Sequence, residues 1–345
     1  MHTHPHSHPC TCCFIIPSSM LRKLALEADG DERQRLLEQL ERSAFLRGQR
    51  AASGLAAPGL QVAAGEKHRT VYDARHRTRL PGKLVRTEAA PPGTDAAVNQ
   101  AFDGAGTTYD FYRQILQRNS IDGRGMGIDS SVHYGKAFNN AFWNGRQMVY
   151  GDGDGKLFTG FTGALDVIAH ELTHGVTQYT VPGGGLVYDG QSGALNESIS
   201  DVFGAVVKQW HLKQTVKKAD WLIGAGIMTP AVGKALRSMA DPGNTALTWS
   251  GDDQPGTMAG YVEGGDVHTN SGIPNHAFYL AAMKLGGHSW DKAAPIWYQA
   301  LSLLHSDATL ADAAHATIKA AELRHGVGSA EAAAVQGAWH EIGVV

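Results

Sequence analysis

The sequence predicts an α+β protein of two lobes, a β-rich N-terminal lobe and a mainly α-helical C-terminal lobe joined by one buried helix. Three observations lead there. Residues 66–160 are turn-rich with alternating apolar positions, as in Thr70-Val71-Tyr72 and the stretch 123–131. After Pro274 the text turns to Ala- and Leu-rich stretches, 276–285, 292–304, 310–324 and 330–342, separated by glycine or Ser-Asp breaks. Between them, Val167, Ile168, Leu172 and Val176 recur at helical spacing, so residues 163–180 form the joining helix. The cleft beside that helix is the natural groove for a ligand.

Composition bounds the reading. A chain of 345 residues with 43% hydrophobic content supports a sizeable core and two or three domains. The net charge of -3 and 18% charged residues make no electrostatic case for a nucleic-acid partner. No apolar run approaches the roughly 18 residues that cross a bilayer, so no membrane association is expected, and a soluble monomer is.

The chain opens with His2, His4, His6 and His8, followed by all three cysteines, Cys10, Cys12 and Cys13. Pro17 cuts short the apolar run Phe14-Ile15-Ile16, which falls below the core of a secretory signal. The expected place is therefore the cytoplasm, with leaderless secretion as the remaining export route. No cysteine follows residue 13, so the body of the protein holds no internal disulfide, as suits a reducing compartment.

Beyond this tail (1–13), residues 14–50 read as a short helical segment. Pro17-Ser18-Ser19-Met20-Leu21 opens a first helix ending near Asp29-Gly30, and Leu36, Leu37, Leu40 and Ala44 put an apolar stripe on a second. So small a piece needs a surface to lie on. Residues 51–65, with Gly54, Pro58, Gly59 and Gly65, read as a flexible, nickable linker. The two lobes then span 66–180 and 181–345.

Chemistry concentrates on the joining helix. In His170-Glu171-Leu172-Thr173-His174, the four-residue spacing stacks both imidazoles on one helix face. Two neutral imidazoles so placed can hold one zinc ion, with Glu171 positioned to take a proton from a water on it. Alone, the pentapeptide also suits two half-exposed histidines of an ordinary helix. A second helix repeats the device: in Asn196-Glu197-Ser198-Ile199-Ser200-Asp201, Glu197 and Asp201 stand four apart. Glu197 then supplies a third metal ligand, and Asp201 accepts the remaining ring proton of a ligand histidine.

His170-Glu-x-x-His174 with Asn196-Glu197-x-x-x-Asp201 resembles the thermolysin-like zinc proteases, and the resemblance runs from about Tyr72 to the C-terminus. It implies a two-lobed zinc endopeptidase with peptide and protein substrates. By the same resemblance, Asn140 and Ala141, in the edge strand 139–145, bind the substrate backbone. Tyr188 and His268 donate to the oxyanion, Glu263 orients His268, and Arg237 grips the carbonyl beyond the cut. Asn196 and Asp201 support the ligand histidines. Phe158, Phe161, Val167 and Leu236 line an apolar pocket, which implies cleavage before Leu, Phe, Ile or Val.

The short leader resembles the protealysin-type branch of that family, which implies a precursor whose own pro-segment occupies the active-site cleft. Of that branch's paired prolines only Pro17 is present, with Ser18 and Ser19 following. Self-processing is expected in the linker, before Leu55, Leu60 or Val62. Where many relatives gather acids for a double calcium site, this chain keeps Asp166 and Asp220 but has Lys208 and Ala225. A full double calcium site is therefore not expected, and the Lys208 ammonium stands in for the cation. The N-terminal His/Cys cluster is either a tail with adventitious metal affinity or the source of a thiolate that takes the zinc's open position in the precursor. The competing reading is a metal-binding or sensing protein on a catalytically silent protease scaffold.

Overall fold

Ahead of the lobes the chain forms strand β1 (Cys13–Phe14), helix α1 (Ser18–Glu27) and helix α2 (Gly30–Ser53). The structure, a computed structural model, describes residues 13–53 and 66–345, with 49–53 described by backbone alone. The tail up to residue 12, and Leu55, Leu60 and Val62 of the linker, lie outside the described residues. Cys13 is thus the first residue of a strand, not the last of a tail. Pro17 N-caps α1, which buries Met20, Leu21 and Ala25.

The expected stripe of α2 is rotated. Leu36, Gln39 and Ser43 are buried, whereas Leu37 and Ala44 face solvent. The cause is polar: Gln39 Oε1 accepts the Asn139 N–H at 3.0 Å and its Nε2 donates to Ala137 O at 3.4 Å. A buried amide that can satisfy backbone groups sets the helix face over an extra leucine.

The N-terminal lobe contributes β2 (Arg69–Asp73), β3 (Lys83–Arg86), α3 (Ala96–Leu116), β4 (Ile128–Val132), β5 (Ala141–Trp143) and β6 (Met148–Tyr150). The strands join β1 in one sheet of order β1-β5-β6-β4-β2-β3. Strand β4 runs parallel to both β2 and β6, while β1–β5, β5–β6 and β2–β3 are antiparallel. The lobe is less purely sheet than its turns suggested, because the 21-residue α3 crosses it. Asp95 caps that helix by accepting the Ala97 and Val98 N–H groups at 2.9 and 3.3 Å.

The joining helix α4 spans Leu165–Thr180 and is buried from Asp166 to Gln178. The C-terminal lobe follows with α5 (Gly190–Leu212), the two-stranded pair β7 (Leu222–Ile223) and β8 (Arg237–Ser238), and α6 (Val267–Asn270). Helices α7 (Gly272–Leu285), α8 (Ala293–Ala300), α9 (Leu310–His325) and α10 (Ala330–Glu341) complete it, close to the four expected stretches. A Thr309/Asp312 capping box starts α9, and Ser329 caps α10. No helix among the described residues is long and apolar enough to cross a membrane.

Helices α4 and α5 lie against each other, and Gly204 permits it. A Cβ there would stand 2.6 Å from Asp166 O and 3.4 Å from His170 Cβ. The missing side chain lets the two motif-bearing helices approach at the level of His170.

Candidate active site

Both imidazoles of α4 turn toward α5 and are fully buried, with His170 Nε2 and His174 Nε2 3.1 Å apart. Two ring nitrogens that close repel unless a proton or a cation lies between them. Glu197, one face of α5, brings Oε2 to 3.4 Å from His170 Nε2 and Oε1 to 3.5 Å from His174 Nε2. Donors sharing one tetrahedral zinc, with bonds of about 2.0–2.2 Å, stand roughly 3 to 4 Å apart, so this set fits that ion. Glu197 Oε2 is buried without a hydrogen-bond partner, an acceptor that a cation would satisfy.

The outer nitrogens of both rings are tied down. His170 Nδ1 donates to Asp201 Oδ1 at 2.8 Å, and His174 Nδ1 donates to Asn196 Oδ1 at 2.8 Å, with Ser200 Oγ 3.0 Å away. These bonds leave both Nε2 atoms aimed at the shared centre. Asp201 also accepts Arg237 Nε and Nη2 at 2.7 and 2.8 Å and Asn275 Nδ2 at 2.9 Å. Burial works against its charge, but the Arg237 guanidinium and His170 hold it well below the usual carboxylate range.

Electrostatics separates the neighbouring groups. Burial alone would lower both histidines; Asp201 and Glu197 outweigh it at His170, raised to about 9, while His174 falls to about 4. Glu197 is held at about 2, burial being overcome by His268, His174 and His170. Glu171 goes the other way. Burial raises its pKa well above normal, opposed by His170 and reinforced by Glu197. Its Oε2 accepts the Trp143 N–H at 2.9 Å, which fixes the carboxylate beside the donor set. A carboxyl group poised to hold a proton is what acid–base work requires.

Tyr188 donates to Glu197 Oε1, and its hydroxyl lies 3.4 Å from His268 Nε2. The acid that orients His268 is Asp266, not Glu263. Asp266 Oδ1 accepts both the ring Nδ1–H and the backbone N–H of His268 at 2.9 Å, whereas Glu263 is exposed. The reason is local: Asp266 is the N-cap of α6, so its carboxylate folds back over the first turn, onto the ring two residues on. A D-x-H pattern before a helix start was the signal available for it. Asn275, Trp143 and Ser200 carried no comparable sequence signal.

Along the site runs the chain's own N-terminal segment. Strand β1 pairs with β5 in the register Cys13↔Trp143 and Phe14↔Phe142. His268 Nε2 donates to Phe14 O at 2.9 Å, and the Ile15 N–H donates to Ala141 O at 3.3 Å. Arg237 Nη1 donates to Ile15 O at 3.4 Å. Asn140 brackets Ile16, accepting its N–H at 3.0 Å and donating Nδ2 to its carbonyl at 3.1 Å. Asn140, Ala141 and Arg237 therefore converge on one extended backbone. Phe158, Phe161, Val167 and Leu236 are buried in the same apolar cluster as Ile15 and Ile16.

Two further placements bear on metals. Cys13 Sγ and one donor atom from each of His174 and Glu197 lie within 4.8 Å of one another. Cys13 is also disulfide-bonded, a bond that the reading of a reducing compartment leaves out. Lys208 Nζ stands 3.2 Å from Asp166, one turn before His170 on α4, and 3.0 Å from Asp220, and donates to Leu222 O at 2.7 Å. Ala225 sits in the short 3-10 turn Ala225–Ile227 and offers no ligand atom from its side chain.

A His/His/Glu donor set on two packed helices, with a buried carboxyl group beside it and a peptide-binding edge strand opposite, defines a metal-dependent peptide hydrolase. The chain belongs to the thermolysin family of zinc metalloendopeptidases. Residues 60–178 match the model of the thermolysin metallopeptidase catalytic domain, and residues 184–344 that of its alpha-helical domain. The chain is 46% identical over 342 residues to an extracellular metalloprotease of Pectobacterium carotovorum subsp. carotovorum, covering 96% of each. It is 42% identical over 284 residues to a thermolysin of Alicyclobacillus acidocaldarius subsp. acidocaldarius, covering 79% of this chain and 50% of that protein. Among solved structures it resembles the precursor of protealysin, a metalloproteinase from Serratia proteamaculans. That match has a TM-score of 0.86 and 46% identity, over 96% of this chain and 100% of that one. The protealysin-type branch expected from the short leader is thus the one it joins.

Proposed function

We propose that the N-terminal segment is an inhibitory leader bound along the path of a substrate, that the enzyme removes it by its own cut, and that it then cleaves proteins before large apolar residues. One observation carries this reading: the Phe14–Ile15 peptide has its carbonyl oxygen on His268 and its N–H on Ala141 O, with Arg237 on the next carbonyl. Those are the contacts a substrate needs on either side of its scissile bond. Ile15 then occupies the position of the first residue beyond the cut. Phe158, Phe161, Val167 and Leu236 make that subsite apolar, which favours Leu, Phe, Ile or Val there.

When bound by His170, His174 and Glu197, zinc lowers the pKa of a water toward about 7 and polarises the carbonyl. The protein's own groups do the rest. Glu171 takes the proton of the attacking water and returns it to the leaving amine. Tyr188 and His268 donate to the carbonyl oxygen as negative charge grows on it, and each such donor is worth on the order of 10²-fold in rate. Arg237 and Asn140 hold the strand so that the carbonyl meets these donors. With Glu171 and both donors in place, the silent-scaffold alternative is not favoured.

The test is an intact-mass time course of full-length protein with zinc beside Glu171→Gln. Wild type is expected to lose its leader by a cut within 54–65 whose product begins with Leu55, Leu60 or Val62, while the variant stays whole. A product from the variant, or a stable zinc-loaded wild type, would overturn self-processing.

A further inference from the structure

Cys13 is the one feature of the cleft that the substrate-like path does not explain. Its side chain is fully buried, on a strand whose next residue, Phe14, presents the carbonyl that His268 grips. Its sulfur reaches the same donor cluster as His174 and Glu197. A catalytic zinc site keeps three protein ligands and leaves its fourth position to water. Here the leader brings a sulfur within 4.8 Å of donor atoms of His174 and Glu197, one residue before a peptide bond that is otherwise held like a substrate. Thiolate is a stronger zinc donor than water and carries no proton for Glu171 to take.

We propose that, in the precursor, Cys13 is the fourth ligand of the metal held by His170, His174 and Glu197, and that the Cys13 disulfide competes with the metal for the same sulfur. The proposal rests on the reading of the leader as an occupant of the cleft. With Cys13 reduced, the thiolate takes the water's place, so the Phe14–Ile15 bond stays uncut although its carbonyl and N–H are in position. Oxidation by a disulfide such as oxidised glutathione joins the Cys13 sulfur to a second cysteine. Two thiols lose two protons and two electrons, and the oxidant becomes two thiols. A disulfide sulfur is neutral and a poor zinc donor, so the metal's fourth position returns to water. Cys13 is disulfide-bonded in this structure, and the only other cysteines of the chain are Cys10 and Cys12.

The experiment uses full-length protein carrying Glu171→Gln, so that it stays whole, with cobalt(II) in place of zinc. Under a reducing agent it should show a sulfur-to-cobalt charge-transfer band in the near ultraviolet. That band should vanish in Cys13→Ser, persist in Cys10→Ser/Cys12→Ser, and vanish from the parent on titration with oxidised glutathione. Hydrogen exchange at the Ile15 and Ile16 amides, measured on the same samples, reports separately whether the leader fills the cleft. No band with those amides protected would overturn the Cys13 assignment and leave the cleft reading standing. No band with the amides unprotected would overturn both. A band that survives Cys13→Ser would give the ligand to another cysteine, and a band untouched by oxidation would overturn the competition.

Discussion

At the scale of single residues, Asp266 marks where geometry and resemblance part. Burial alone would neutralise it, yet its bonds to His268 hold it well below the usual carboxylate range. His268 is in turn raised, Glu197 and Asp266 outweighing burial. Asp266→Asn should therefore lower kcat of the processed enzyme, by up to the roughly 10²-fold that losing an oxyanion donor costs. Glu263→Gln should leave it nearly unchanged; equal effects of the two changes would sink the assignment. His133 offers a pH readout. Hydrogen bonding to Asp152, partly opposed by burial and aided by Asp95, raises it from 6.5 to about 9. A folded pKa above the unfolded one means stability that is fully present below about pH 6.5 and lost as pH rises through about 9. The Tm of Glu171→Gln protein should fall over that interval more than that of the same protein with His133→Asn. Parallel pH profiles would refute the linkage.

At the scale of elements, the site depends on how closely α4 and α5 approach and on what ties them to each other. Lys208 on α5 meets Asp166 on α4 and Asp220 before β7, and despite burial its pKa is raised by those two carboxylates. The ammonium pairs with both acids. Lys208→Glu should leave three carboxylates together and make Tm rise with calcium, an effect absent from the parent. A Tm indifferent to calcium in the variant would sink the idea that Lys208 replaces an ion. The helices themselves were legible in the sequence because each carries its own 3.6-residue stripe and caps. Helix α2 was legible as a helix but not in its buried face, since Leu36 and Leu37 are equally apolar and their choice depends on what the helix packs against: Leu36 joins the core, and Gln39 bonds to Ala137 and Asn139.

At the scale of the whole molecule, the leader is held on the catalytic lobes by a small apolar surface. Ile15, Ile16, Met20 and Leu21 are each essentially fully buried, and burying a side chain of this size is worth about 1.5–3 kcal/mol. Lys23 adds a bond of 2.6 Å to Asp253 across the interface. Leu21→Asp puts an unpaired charge into that contact and should loosen the leader by on the order of 10²-fold, speeding its loss in the intact-mass time course. Unchanged processing would show that undocking does not limit activation. The pairing of His170 with His174 on one helix, and of Glu197 with Asp201 on another, was legible in the sequence by itself, because a four-residue spacing is about one turn of one helix and needs no partner to define it; that Glu197 reaches the two histidines depends on how α4 and α5 pack. Tertiary structure alone decided that the N-terminal segment runs along the site with Phe14 on His268, and that Cys13 comes close to His174 and Glu197. His268 and Phe14 meet across 254 positions of chain, and no local periodicity encodes a contact that depends on how separately folded segments dock.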